Sequence, residues 1–160
     1  MASKPALAVL VGPTAVGKTA LSLALARQLD AEIISADSRL FYRGMDIGTA
    51  KPTLAERGDI PHHLIDVADP NDTWSLSRFQ EQAAQVIGEI TARGRLPLLV
   101  GGTGQYIRAV SQGWLPPDLP PSPRLRAALE GLAEQITPAG LYTWLQRLDP
   151  PAAAAIDYHN

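Results

Sequence analysis

The stretch Gly12-Pro13-Thr14-Ala15-Val16-Gly17-Lys18-Thr19 decides the fold. Its spacing, G-x-x-x-x-G-K-[ST], is that of a phosphate-binding loop, whose glycines let successive N–H groups turn inward around an anion. The flanks carry as much weight as the motif. Before it, Leu7-Ala8-Val9-Leu10-Val11 is an apolar run that predicts a buried parallel strand. After it, Leu21, Ala24, Leu25 and Leu29 recur at helical spacing and predict one face of an α-helix. Strand, glycine loop and helix in that order form the context the motif requires. The helix N-terminus adds partial positive charge. Lys18 supplies a full charge to the terminal phosphate, and the Thr19 hydroxyl is placed to ligate Mg²⁺. The eight residues from Gly12 to Thr19 are therefore expected to bind a diphosphate or a nucleotide such as ATP. A glycine turn that merely caps a helix is the plainer reading, and the flanking pattern argues against it.

Composition bounds the rest. A chain of 160 residues with 46% apolar content is one domain of ordinary size, or part of a larger one. It has no cysteine, which excludes disulfides, thiolate metal sites and cysteine nucleophiles. No apolar run approaches the roughly 18 residues of a membrane span, and Met1-Ala2-Ser3-Lys4-Pro5 fits no signal peptide. A cytoplasmic protein with no membrane partner is the expectation. The net charge of −2 lacks the basic footprint of a general nucleic-acid binder, although Arg39, Arg43 and Lys51 suggest a local basic patch.

The first part of the chain alternates strand and helix, the grammar of an α/β fold with a parallel sheet. Glu32-Ile33-Ile34-Ser35 reads as a second strand, and His62-His63-Leu64-Ile65-Asp66 as a third. Ser75 or Ser77 caps a long helix, with Ser77 and Gln80 in capping-box spacing and Phe79, Ala83, Val86, Ile87 and Ile90 on its apolar face. Gly94 ends it. Leu96-Pro97-Leu98-Leu99-Val100 is a further buried strand that runs into Gly101-Gly102-Thr103 and a short helix to about Gly113. Five of the nine residues from Leu115 to Pro123 are proline, the composition of a stiff linker. Beyond it Ser122-Pro123, Thr137-Pro138 and Asp149-Pro150 each pair an N-cap with proline at the first helical position. Leu125, Leu129, Leu132, Ala133 and Ile136 form the face of the first such helix, and Leu141, Leu145 and Leu148 that of the second. The division expected is an α/β core over 1–114, a linker over 115–121 and a small all-helical module over 122–160. The sheet reads short and lacks a closing strand after Tyr158-His159-Asn160, as in the N-terminal portion of a longer protein.

Two further segments share the rim of the phosphate loop. In a parallel sheet the ligand lies beyond the carboxyl ends of the strands. Asp37, just past the second strand, is either a general base aimed at the bound phosphate compound or a turn aspartate. Gly101-Gly102-Thr103 either admits a ligand closely and offers it the Thr103 hydroxyl, or is an ordinary strand-to-helix turn. That strand ends in glycine, where phosphate-loop NTPases usually place an acid for Mg²⁺, which argues against ordinary ATP or GTP hydrolysis. His62 and His63 point to opposite faces if they lie on a strand, so they cannot ligate one metal ion. Trp74, Trp114 and Trp144 read as core or interface residues.

These segments together resemble one family. Gly12-Pro13-Thr14-Ala15-Val16-Gly17-Lys18-Thr19, Ser35-Ala36-Asp37-Ser38, Tyr42-Arg43-Gly44-Met45-Asp46-Ile47-Gly48-Thr49-Ala50-Lys51-Pro52, Pro61-His62-His63-Leu64-Ile65-Asp66 and Leu98-Leu99-Val100-Gly101-Gly102-Thr103-Gly104-Gln105-Tyr106 are similar to the bacterial tRNA dimethylallyltransferases, also called tRNA isopentenyltransferases. The likeness spans essentially the whole chain and matches the N-terminal half of that family. It implies transfer of a dimethylallyl group from dimethylallyl diphosphate to N6 of adenine 37 in the tRNA anticodon loop, with Mg²⁺ as cofactor and a monomeric enzyme. It implies that the phosphate loop, with Lys18 and Thr19, holds the departing diphosphate. It gives Asp37 the role of base and makes Thr103 catalytic. It places tRNA contacts at Asp37, Ser38, Arg39, Leu40, Thr103 and Arg126. The alternatives are an adenylate isopentenyltransferase that uses free AMP, ADP or ATP, a phosphate-loop kinase for a small molecule, and a module that only binds nucleotide.

Overall fold

The computed structural model describes residues 6–72, 74–113 and 122–156. The chain divides into two compact units, Met1–Pro117 and Asp118–Asn160. The linker 115–121, Trp114 and the last residues, Tyr158 to Asn160, lie outside the described residues.

The first unit is an α/β layer built on four parallel strands, β1 (Ala8–Val11), β2 (Ala31–Ser35), β3 (His62–His63) and β4 (Leu96–Gly101), in the order β1-β4-β2-β3. Register is set by Ala8 opposite Leu98 and by Ile33 opposite both Leu98 and His62. Side chains alternate across the sheet. Ile34 and Leu99 face one side with Phe41, Phe79 and Ile90, while Ile33 and Leu98 face the other with Ala26 and Ile60. On the first side lie the helices α3 (Leu76–Ala92) and α4 (Gly104–Gln112), and on the second lies α1 (Lys18–Leu29). The fold class read from the glycine loop stands.

Four local expectations need correction. Among the described residues β1 pairs with β4 alone and stands at the sheet edge, with Val9 and Val11 40% and 54% exposed, so it is not the buried strand expected. The fully buried residues of α1 are Ser22 and Ala26, with Leu23 and Leu25 packed half-buried against the same cluster. Of the predicted face, Leu25 reaches the core, whereas Leu21 and Leu29 are about half exposed at 50% and 49%. The third strand stops at His63, since Leu64 and Asp66 take left-handed backbone angles (φ 58° and 57°) that no strand continues. Finally, Ser75 caps α3 by accepting from the Arg78 N–H at 3.2 Å, so the Ser77–Gln80 capping box does not form.

The second unit is helical. Its helix α5 (Pro123–Leu148) is capped by Ser122, and α6 (Pro150–Ala154) by Asp149. Thr137 breaks α5 with non-helical angles (φ 67°, ψ 161°), which marks the second predicted helix start ahead of Pro138. Tyr142 donates its hydroxyl to the Ala153 carbonyl at 3.1 Å and ties α6 to α5. The apolar faces read from the sequence are partly covered: Leu132, Ala133, Ile136, Leu141 and Leu145 are half-buried, whereas Leu125, Leu129, Leu148 and Trp144 are exposed.

Candidate active site

The phosphate loop joins β1 to α1 and is held in a strained shape. Ala15 (φ 65°) and Gly17 (φ 88°) both sit in the left-handed region, which costs a non-glycine residue such as Ala15 of order 1 kcal/mol. Gly17 is the N-cap of α1 and has no side chain to offer, so the first N–H groups of the helix stay open toward the loop. Lys18 follows at once, and its Nζ donates to the Pro13 carbonyl across the loop.

Asp37 stands two residues beyond β2. One carboxylate oxygen, Oδ1, accepts from the Arg39 N–H at 3.1 Å and caps a short 3₁₀ turn, Ser38–Phe41. Arg39 Nε lies 3.5 Å from the same oxygen. Asp37 therefore caps the turn with one oxygen, as the plainer reading expected, and its second oxygen has no partner among the described residues.

The turn is anchored from behind by Phe41, whose fully buried ring lies 5.1 Å from Trp74, 5.5 Å from Phe79 and 5.6 Å from Tyr106, between ring centroids. Tyr106 belongs to α4, which begins just after Thr103. One aromatic cluster thus ties the Asp37 turn to the helix of Thr103. Burial pushes the Tyr106 hydroxyl above the usual phenol range, and nearby Tyr42 adds to the effect. Thr103 occupies the N-cap position of α4 yet makes no side-chain cap bond, so its hydroxyl is unspent.

Gly101 and Gly102 line the cavity, and they also allow a close backbone approach that the sequence reading did not foresee. A Cβ on Gly101 would fall 2.5 Å from the Ala36 carbonyl oxygen, and one on Gly102 would fall 3.2 Å from that of Gly12. The pair lets the end of β4 pack backbone to backbone against the other two site segments.

A loop from Met45 to Lys51 closes the far side. Lys51 is only 4% exposed at its side chain and is held by Asp66 (2.6 Å), Asp46 (2.7 Å) and the Tyr42 carbonyl (2.9 Å). Burial alone would lower its pKa, but the two carboxylates outweigh that and raise it. Arg43 pairs with Asp69 at 2.8 Å, and Arg39 lies against Asp37. Of the three cations that suggested a basic patch, Lys51 is buried, while Arg39 and Arg43 stay about half exposed and each lies beside a carboxylate.

These segments enclose one cavity of about 720 Å³. Of the phosphate loop, Pro13, Thr14, Ala15, Gly17, Lys18 and Thr19 line it, whereas Gly12 and Val16 do not. Asp37, Ser38, Arg39 and Leu40 line the rim, with Gly101, Gly102 and Thr103 beside them. The sequence reading missed a further wall of Ile33, Thr49, Ala50, Pro52, His62 and Ile65. All but Ile33 lie within the segments 42–52 and 61–66 that carry the family resemblance, though no role was read for them. Arg126 belongs to the second unit, with its side chain 81% exposed and Glu130 at 3.9 Å.

The donor set suits a hard cation bound chiefly through a substrate. Among the described residues no group of three or more His, Asp or Glu could hold a metal. The Thr19 and Ser35 hydroxyls and the Asp37 carboxylate all line the cavity, and Mg²⁺ typically takes one or two such oxygens together with substrate phosphates.

Comparison with known proteins now fits this geometry. The family model described as IPP transferase matches residues 40–160, and that described as isopentenyl transferase matches residues 5–62. The chain belongs to the IPP transferase family. It is 58% identical to a tRNA dimethylallyltransferase of Roseiflexus sp. (strain RS-1) over 96% of this chain and 50% of that protein. It is 55% identical to one of Thermomicrobium roseum, over 98% of this chain and 47% of the relative. Among solved structures it is similar to the full-length tRNA isopentenylpyrophosphate transferase from Bacillus halodurans, with 48% identity and a TM-score of 0.71 over 98% of this chain and 52% of that one. It is also similar to a eukaryotic dimethylallyltransferase acting on tRNA, at 29% identity and a TM-score of 0.76, over 97% of this chain and 38% of that one. The chain spans about half the length of the curated relatives it matches. Among the described residues, no helix is long and apolar enough to cross a membrane.

Proposed function

We propose that the protein carrying this chain transfers a dimethylallyl group from dimethylallyl diphosphate to N6 of adenine 37 in the anticodon loop of tRNA. One observation carries the reading: an anion loop with Lys18 and a half-free carboxylate, Asp37, open into the same cavity. The phosphate loop binds the diphosphate. As the C1–O bond breaks, negative charge gathers on the leaving group, and the open N–H groups of α1 and Lys18 stabilise it. Lys18 leaves the Pro13 carbonyl to do so. The N6 nitrogen attacks C1, the new C–N bond forms, and the N6 proton passes to the free oxygen of Asp37. Diphosphate and the alkylated base are the products. Thr103, with its unspent hydroxyl, orients the base. Thr19 is the residue that would hold Mg²⁺ together with the bound diphosphate, and the ion would supply further neutralisation of the leaving group's charge.

A base inside a stacked loop cannot reach such a cavity, so the adenine is extruded into it. Ser38, Arg39 and Leu40 then face its neighbours. Arg126, on the helical unit, contacts the RNA backbone. The test is transfer of labelled prenyl from dimethylallyl diphosphate to an anticodon stem-loop, run beside AMP and beside γ-labelled ATP with no prenyl donor. Label in the RNA alone supports the reading. Label in AMP points to an adenylate isopentenyltransferase, and phosphate transfer from ATP points to a kinase.

A further inference from the structure

We propose that Lys51 is a positioning residue for Asp37: its buried ammonium fixes the turn on which that carboxylate stands, and so sets the aim of the proton acceptor. The inference rests on the prenyl-transfer reading above. It gives a role to a buried cation that is not among the residues lining the cavity.

Lys51 is placed to act through other residues. Its side chain is 4% exposed, and Nζ donates to Asp66 Oδ1 at 2.6 Å and to the Tyr42 carbonyl at 2.9 Å, with Asp46 Oδ1 at 2.7 Å. Three acceptors occupy the three protons of an ammonium. The two carboxylates outweigh burial and raise its pKa, so the group stays charged across the neutral range.

From this ammonium a short run of hydrogen bonds leads to Asp37. Asp66 has a left-handed backbone (φ 57°). A non-glycine residue keeps such an angle only where its surroundings fix it. Here the Lys51 ammonium holds one carboxylate oxygen, and Arg57 Nη2 lies 3.8 Å from the other. The Asp66 N–H donates to the Leu40 carbonyl at 3.0 Å. The Val67 and Ala68 N–H groups donate to the Phe41 carbonyl at 2.8 Å and 2.9 Å, and Lys51 itself takes the next carbonyl, that of Tyr42. Three successive carbonyls, from Leu40 to Tyr42, are thus held by Lys51 or by the segment it pins. Leu40 closes the path: its N–H donates to the Asp37 carbonyl at 3.0 Å, inside the turn that the Asp37 side chain caps. On the other flank the Ala36 N–H is bonded to the Val100 carbonyl. Asp37 therefore stands between two anchors, and one of them depends on a buried charge.

Aim matters for a proton acceptor. It must come within hydrogen-bond reach of the attacking nitrogen, and a displacement of about 1 Å can cost about 100-fold in rate. A lysine that merely supported the fold would give a loss indifferent to whether residue 37 is a carboxylate. A lysine that aims the carboxylate gives a loss that needs it.

The test is a double-mutant cycle with Asp37→Asn, run in the protein carrying this chain with dimethylallyl diphosphate and an anticodon stem-loop. Lys51→Met keeps an unbranched side chain and removes the charge. With Asp37 present it should lower kcat by about tenfold or more, while KM for dimethylallyl diphosphate stays within about twofold of wild type. In the Asp37→Asn background the same change should move kcat by less than about twofold, because the group that Lys51 aims is gone. Asp66→Ala should behave the same way in both backgrounds. It leaves Lys51 with Asp46 and the Tyr42 carbonyl, so no buried charge is stranded, and it carries the cycle should Lys51→Met fail to fold. Equal losses in both backgrounds overturn the assignment and leave the transfer reading intact. So does a loss confined to KM for dimethylallyl diphosphate. A wild-type protein that prenylates no RNA overturns the transfer reading, and this inference with it.

Discussion

Gly101 and Ala36 meet backbone to backbone, so closely that a side-chain carbon on Gly101 would lie 2.5 Å from the Ala36 carbonyl oxygen. The Ala36 N–H also donates to the Val100 carbonyl at 2.8 Å. The end of β4 is therefore clamped to the residue that precedes Asp37. Gly101→Ala must push the two strand ends apart. It should cost about 1–3 kcal/mol of stability, the range for overpacking a tight core. Turnover should fall further than stability, because Asp37 moves with Ala36. Thermal denaturation and steady-state kinetics on the same preparation check both halves.

Lys18→Ala removes the one full positive charge of the phosphate loop. Transfer should drop by more than about 100-fold, in line with the loss of other charge-stabilising donors. Binding of inorganic diphosphate, followed by calorimetry, should weaken alongside. Near-normal transfer would sink the assignment of the loop.

Asp37→Asn is a clean probe because the amide oxygen can still accept from the Arg39 N–H and keep the 3₁₀ turn capped. The turn should survive while the proton acceptor is lost. KM for dimethylallyl diphosphate should stay close to wild type, and kcat should fall by about 100-fold or more. A variant that loses donor affinity but keeps its rate would reverse these roles.

Glu32 governs acid stability. Its carboxylate is 3% exposed and takes Arg93 Nη2 at 2.8 Å, His63 Nε2 at 2.6 Å and Arg95 Nη1 at 3.4 Å. Burial alone would raise its pKa, but hydrogen bonds from Arg93 and His63 outweigh that and hold it below the ordinary glutamate value. A lowered carboxylate contributes stability above its unfolded pKa, about 4.3, and loses it as pH falls through the folded value. Urea midpoints should therefore be flat near neutrality and drop below about pH 4. In Glu32→Gln this part of the acid slope should vanish. An unchanged slope would show that other carboxylates set it.

Arg126→Ala tests the helical unit. The side chain is 81% exposed, and its nearest carboxylate, Glu130, is 3.9 Å away, so stability should hardly change. KM for the RNA acceptor should rise and KM for dimethylallyl diphosphate should not, as fits a contact to the nucleic-acid backbone. The salt dependence of RNA affinity should also become shallower.

The fold was legible where one residue pattern forces one structure. Gly12 to Thr19 with its flanks reads as strand, loop and helix, and Phe79, Ala83, Ile87 and Ile90 all lie on the buried face of α3. Patterns that depend on neighbours read less well. Nothing in Leu7 to Val11 says that β1 has a partner on one side only. The helical spacing of α1 picked out Leu21, Ala24, Leu25 and Leu29, whereas the face that meets the sheet is centred on Ser22 and Ala26 with Leu23 and Leu25 at its sides. In the site, the phosphate loop, Asp37 and Thr103 stand out by residue type. Ile33, Ala50, Pro52 and Ile65 do not, since an apolar residue gives no sign in sequence of whether it lines a cavity or fills a core. The glycines at 101 and 102 were visible and both line the cavity, but their close approach to the Ala36 and Gly12 backbone shows only once those neighbours are in place.

The one-sided pairing of β1 makes the anion loop sensitive to whatever meets that strand. Among the described residues its outer edge has no sheet partner, and Val9 and Val11 are 40% and 54% exposed there. Val11 is directly followed by Gly12, the first residue of the loop. A strand laid along this edge would fix the stem from which the loop springs and damp its motion. Protection of the β1 amides against deuterium exchange is thus a remote gauge of how firmly the loop is held.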